Sequence, residues 1–176
     1  MDKSPEFVLG FLLGLCAVAA LAALFIWIIR KKHGPAKYDE RQAVARLRAY
    51  RAAFWTLAAY LCLDGLFTVA TGLEWADAMT GPFIGICVAV TVFASISISE
   101  DAYLAINEKP RFYLVLFAVV ILVNAAVTVK NLVDGVSFVA DGSLNYHCMN
   151  IVVIVTFLAI SVTLAVKATS RGKKEE

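Results

Sequence analysis

Charge is scarce in this sequence, and histidine, cysteine and proline are scarcer still. Only 17% of the 176 residues are charged, against 61% hydrophobic, with two histidines, four cysteines and four prolines. A soluble domain needs more polar surface than this, so that class is excluded. The alternation of apolar and polar residues that marks a transmembrane barrel is absent as well. There is no Walker loop, GxGxxG, HExxH or GxSxG, so nucleotide hydrolysis, dinucleotide binding, zincin and nucleophile-elbow chemistry lack their signatures. The cysteines at 16, 62, 87 and 148 are isolated, which removes a CxxC thiol oxidoreductase and points to free thiols. A single disulfide among Cys16, Cys87 and Cys148 is the alternative. "YHCMN" at 146–150 holds soft ligands, but neighbours on a helix diverge by about 100°, so no metal site is expected there. No catalytic residue and no cofactor is expected.

What is present is hydrocarbon-length apolar sequence. Runs at about 7–29, 52–73, 82–104, 112–133 and 146–166 each suffice to cross roughly 30 Å of lipid as a helix. The expected fold is all-α: one integral membrane domain over 1–176, a bundle of five transmembrane helices with the N-terminus outside and the C-terminus cytoplasmic. The first run is read as a retained span rather than a secretory signal, because its basic residues Arg30, Lys31 and Lys32 follow it. That threading puts fourteen of the sixteen basic residues inside and leaves only Lys3 and Lys130 outside, together with Asp2, Glu6, Glu74, Asp77, Asp134 and Asp141. His33 and His147 then fall on opposite faces, so a haem held by two histidines of this chain is excluded.

The densest charge lies in "KYDERQAVARLRAYRAAF", residues 37–54. Asp39 suits an N-cap with Gln42 three residues on, and no breaker follows until Gly65. A basic cytoplasmic helix over about 40–51 is therefore expected to run straight into the second span. Arg41 and Arg48 share a face at a seven-residue interval. Asp39, Glu40, Arg41, Arg46, Arg48 and Arg51 are candidates either for anionic lipid headgroups, worth about 1 kcal/mol per basic residue near the surface, or for a protein partner. The basic residues show no aromatic interleaving, so no nucleic acid is expected.

"KYDERQ" followed by "ARLRAYRAAFWTL" resembles a juxtamembrane motif of small, multi-span bacterial membrane proteins of uncharacterised function. "SEDAYLAINEKPRFYL" at 99–114 is similar to a second stretch shared by that group. The resemblance implies a bacterial plasma membrane setting and a role for the cytoplasmic face; it implies no activity, cofactor or catalytic residue.

Ionisable and polar groups inside spans are costly and are suspects for function. Asp64 counts to about the bilayer midplane, at the depth of Ser95, Ser97, Asn124 and Thr156. Asp64, Thr68 and Thr71 share one helix face, as do Asn124, Thr128 and Asn131. With His147 and Asn150 at the start of the fifth run, a polar cleft open to the outside would account for both stripes. The candidate ligand residues are Asp64, Thr68, Ser95, Asn124, Thr128, Asn131, His147 and Asn150. The plainer account is cross-bonding between helices, about 0.6 kcal/mol per bond. Glu100 and Asp101 are expected at an interfacial helix end, able to pair with Lys109, Arg111 or the arginines of the 40–51 helix. Gly10–Gly14 and Gly81–Gly85 offer faces for close helix approach.

Two functions remain open. One is an accessory or regulatory membrane subunit that docks a partner through its basic inner face, the partner being another protein or a second copy of the chain. The other is a small-solute or ion binding or transport protein built on the cleft around Asp64 and Asn124.

Overall fold

The computed structural model describes residues 37–105 and 110–172, together with Cys16, Ala20, Leu24 and Trp27. The expected first span at 7–29 with its Gly10–Gly14 step, and the charged end from 173, lie outside the described residues apart from those four. The chain divides into Met1–Lys37 and Tyr38–Glu176, and the second unit is the one described below.

Its first helix, α1, spans Glu40–Thr71 without interruption. Asp39 starts it with a full capping box: its carboxylate accepts from the Gln42 amide at 2.6 Å, and the Gln42 side chain accepts from the Asp39 amide at 3.3 Å. At 1.5 Å per residue, 32 residues make about 48 Å, well beyond the hydrocarbon thickness. The helix thus exceeds that thickness by about a dozen residues. Helix α2 covers Thr80–Ser99 and α3 covers Pro110–Val133. A two-stranded hairpin, β1 (Val139–Ala140) against β2 (Ser143–Leu144), and a 3-10 turn at Tyr146–Cys148 lead into α4, Met149–Gly172. Asp141 and Gly142 both take positive φ, 51° and 81°, the Asp-Gly pattern that closes a two-residue hairpin with the right twist.

The third apolar run was expected to stay helical to about 104, but α2 stops at Ser99. Asp101 adopts φ 59°, its amide bonds back to Ile98 and that of Ala102 to Ser97 at 2.7 Å. This is a Schellman closure with aspartate where glycine is usual.

α1 packs on α2, α2 on α4 and α4 on α3. The last helix is thus inserted between its predecessors, and no packed interface joins α1 to α3. The buried core lies between α2, α3 and α4: Ala94, Ile98, Phe117, Ile160 and Leu164, flanked by Tyr103, Tyr113 and Phe157. Elsewhere the helices expose large apolar side chains, among them Leu63, Val69, Leu122 and Val155. Such surface is costly in water and suited to lipid. Among the described residues four helices are long and apolar enough to cross a membrane, and the chain is a multi-pass membrane protein.

The connections sort into two ends. At one, the 72–79 connection bonds to the hairpin strand, with the Asp77 amide donating to the Leu144 carbonyl at 2.8 Å and the Leu144 amide to Trp75 at 2.9 Å. At the other, Tyr38–Arg46, the 99–105 connection and Lys167 meet. These are called the hairpin end and the basic end.

Candidate functional site

At the basic end the two motif stretches are bound to each other. The Schellman closure answers the carbonyls of Ser97 and Ile98 at the negative pole of α2, and side chains from two other helices answer those of Ser99 and of the connection that follows. Gln42 Nε2 donates to the carbonyls of Asp101 at 2.8 Å and Leu104 at 3.2 Å. Arg46 donates to those of Ala102 at 3.2 Å and Tyr103 at 3.4 Å. From the opposite side Lys167 of α4 donates to the Ser99 carbonyl at 2.6 Å and pairs with the Asp101 carboxylate at 3.3 Å. Two cations and one amide thus answer five carbonyls between Ser99 and Leu104, and three helices are tied together.

Arg46 is itself held. Its guanidinium lies 4.3 Å from the Tyr38 ring centroid and 5.5 Å from that of Phe93, and it also donates to the Tyr38 hydroxyl at 3.1 Å. So Tyr38, Asp39 and Gln42 of the "YDERQ" stretch have structural tasks: stacking, capping and bridging. Arg48 reaches Glu100 at 3.6 Å on the surface, a contact of small energetic weight. Glu100 and Asp101 therefore pair with Arg48 and Lys167, and the expected alternatives Lys109 and Arg111 have no described side chains. Glu40, Arg41 and Arg51 remain exposed. Beside them an open cleft of about 570 Å³ is lined by Arg41, Val44, Arg48 and Glu100 among others.

The hairpin end holds Asp64. Its Oδ1 accepts the indole N–H of Trp75, which folds back from the 72–79 connection. Its Oδ2 would lie 3.7 Å from a Cβ on Gly81, in the first turn of α2, so the carboxylate faces the positive pole of that helix. One turn along α1, the Tyr60 hydroxyl donates to the Gly81 carbonyl at 2.9 Å, and the Tyr60 ring covers Gly85. The Gly81–Gly85 step thus serves packing inside the chain. Tyr60, Asp64, Phe67 and Trp75 line an open cavity of about 640 Å³ with Leu63, Leu66 and Ala70.

The remaining candidates are dispersed. Asp64 stands beside the first turn of α2, whereas Ser95 lies fourteen residues further along that helix, about 20 Å away. Ser97 is buried nearby at the basic end. The single midplane layer expected for Asp64, Ser95, Ser97, Asn124 and Thr156 is therefore not assembled, because α2 starts beside Asp64 rather than beyond it. Thr68 and Thr71 donate to carbonyls four residues back, Asp64 and Phe67. Asn124 and Thr128 do the same on α3, to Val120 and Asn124. Phe117 meets Phe157 at 5.3 Å, and one heptad from each toward the hairpin end stand Asn124 and Asn150, which thus share the α3–α4 side. Asn131 continues that stripe. The His147 ring lies over Tyr146 at 4.0 Å, its amide donating to Asn145. Asp64 and Asn124, on helices that do not pack together, are not brought to one cleft.

Tyr60, Phe67 and Trp75 were not read from the sequence as site residues, nor Gln42 and Lys167 as bridging ones. Tyr60, Asp64 and Phe67 do recur at i, i+4, i+7, and that is the available signal. All four cysteines are free: Cys87 and Cys148 are buried, Cys16 and Cys62 exposed. No family model matches the chain, and neither the curated proteins nor the solved structures contain a significant match.

Proposed function

We propose that the chain is an accessory or regulatory integral membrane subunit of the bacterial plasma membrane, with five spans, the N-terminus outside and the basic end in the cytoplasm. The positive-inside distribution supports the sidedness: Arg41, Arg46, Arg48, Arg51 and Lys167 gather at one end, while Glu74, Asp77, Asp134 and Asp141 belong to the other.

The observation that carries the docking reading is the clasp by Gln42 and Arg46. It fixes the projecting part of α1 against α2, so the exposed Arg41, Val44, Leu47 and Arg51 form a surface already ordered before any partner arrives. A preordered surface avoids the ordering entropy that weakens association. Anionic headgroups satisfy the same arginines at their rim, and the two contacts are compatible.

The test is purification in mild detergent of the wild type and of Arg41→Glu/Arg51→Glu, which spares the clasp. One protein, another subunit or a second copy of the chain, is expected in fixed stoichiometry with the wild type and absent from the variant. Recovery of the wild type with lipid alone contradicts the reading. The alternative polar cleft shared by Asp64 and Asn124 lacks a common interface, which leaves the Asp64 side to be considered by itself.

A further inference from the structure

The geometry points to the Asp64 cavity as a binding site for a lipophilic organic cation, an ammonium or phosphonium centre bearing apolar substituents. This lies at the hairpin end and is independent of the docking surface proposed for the basic end.

The cavity measures about 640 Å³ and is open, a size in the range of small-molecule sites. Its walls are the rings of Tyr60, Phe67 and Trp75 and the aliphatic Leu63 and Leu66; its one formal charge is the Asp64 carboxylate. Oδ1 is taken by the Trp75 indole, while among the described residues no donor is bonded to Oδ2. The Tyr60 hydroxyl is committed to the Gly81 carbonyl.

Each feature removes a class of occupant. An anion is repelled by the carboxylate. A neutral apolar molecule leaves Oδ2 without a partner. A small metal cation needs several oxygen ligands, and this cavity supplies one carboxylate. A weakly hydrated organic cation satisfies all of these at once, with its charge against Oδ2 and its substituents on aromatic faces that attract cations. Leu63 is 67% exposed and Leu66 64%, so the cavity is entered from apolar surroundings, where such cations concentrate. The same ammonium chemistry is carried by free amphiphilic cations and by zwitterionic lipid headgroups.

The test uses the full chain in nanodiscs of phosphatidylglycerol, titrated calorimetrically with tetraphenylphosphonium. Saturable binding at one site per chain is expected, with no saturable binding of tetraphenylborate, which has the same shape and opposite charge. Asp64→Asn keeps an oxygen for the Trp75 indole and is expected to lose at least tenfold in affinity. Phe67→Ala, which leaves that bond alone, is expected to lose several-fold. Equal affinity in wild type and Asp64→Asn, or equal binding of both ions, overturns the proposal. Where Asp64→Asn does not fold, undiminished affinity in Phe67→Ala overturns it. Adding phosphatidylcholine or phosphatidylethanolamine separates the sources: competition assigns the site to lipid headgroups, and its absence to free cations, the cation chemistry standing in both cases. Arg41→Glu/Arg51→Glu is expected to bind the cation as the wild type does, so loss of partner docking leaves this result untouched.

Discussion

At Gly85 the fold tolerates no side chain. A Cβ there would meet the Tyr60 ring at 2.4 and 2.6 Å, closer than non-bonded atoms approach, and that ring is anchored by its hydroxyl on Gly81. Gly85→Ala is expected to force α1 from α2 and to destabilise by about 1–3 kcal/mol, the usual penalty for overpacking. Thermal unfolding in detergent measures it, and the double variant Gly85→Ala/Tyr60→Leu is expected to recover part of the loss. Asp77, in the 72–79 connection, gives a pH effect. Its carboxylate accepts the amide of Thr80 at 2.6 Å and that of Met79 at 3.0 Å, and these bonds, Thr80 foremost, hold its carboxyl below the ordinary carboxylate range. A lowered folded pKa stabilises the fold at pH values above the unfolded value near 4, and that stabilisation is lost as pH falls through the lowered one. Acidification below about pH 4 is expected to lower the melting temperature of the wild type more steeply than that of Asp77→Asn, whose amide oxygen caps without titrating. Parallel curves would deny Asp77 this role.

Among the elements, α1 with its basic extension was the most legible. The Asp39–Gln42 capping pair and the absence of a breaker before Gly65 set its start and its continuity, and both are local properties of the chain. The end of α2 was less legible, because its Schellman closure places an aspartate where glycine is the usual signal, and side chains of two other helices hold the connection that follows. Gln42, Arg46 and Lys167 answer the carbonyls of Ser99 and 101–104 from 56 to 68 residues away, and no local pattern announces that. The hairpin was overlooked although "FVADGSLN" carries the Asp-Gly pair that encodes it. Arg46→Ala removes the donor to two carbonyls and the stacking partner of Tyr38. It is expected to destabilise by about 1–3 kcal/mol and to raise amide exchange selectively in 99–105. Unchanged exchange there would mean that the loop holds itself.

At the scale of the whole molecule, hydropathy found the four described spans, because a helix in lipid is specified by its own composition. Helix order was not legible: α4 inserts between α2 and α3, and this single fact separates Asp64 from Asn124, which depth along each helix had placed together. Depth counting also assumed that every span begins at the same level, whereas α2 begins beside Asp64. The charge asymmetry between the two ends survives that rearrangement, since connections 72–79 and 134–148 share one end and the clasp occupies the other. The docking surface is best tested in the native membrane, with a photo-crosslinking residue at position 41 and, as a lipid-facing control, at the highly exposed position 69. A single protein adduct is expected from position 41, lost when Arg51 is also changed to Glu, with only lipid adducts from position 69. Lipid adducts alone from both positions would contradict a partner at the basic end.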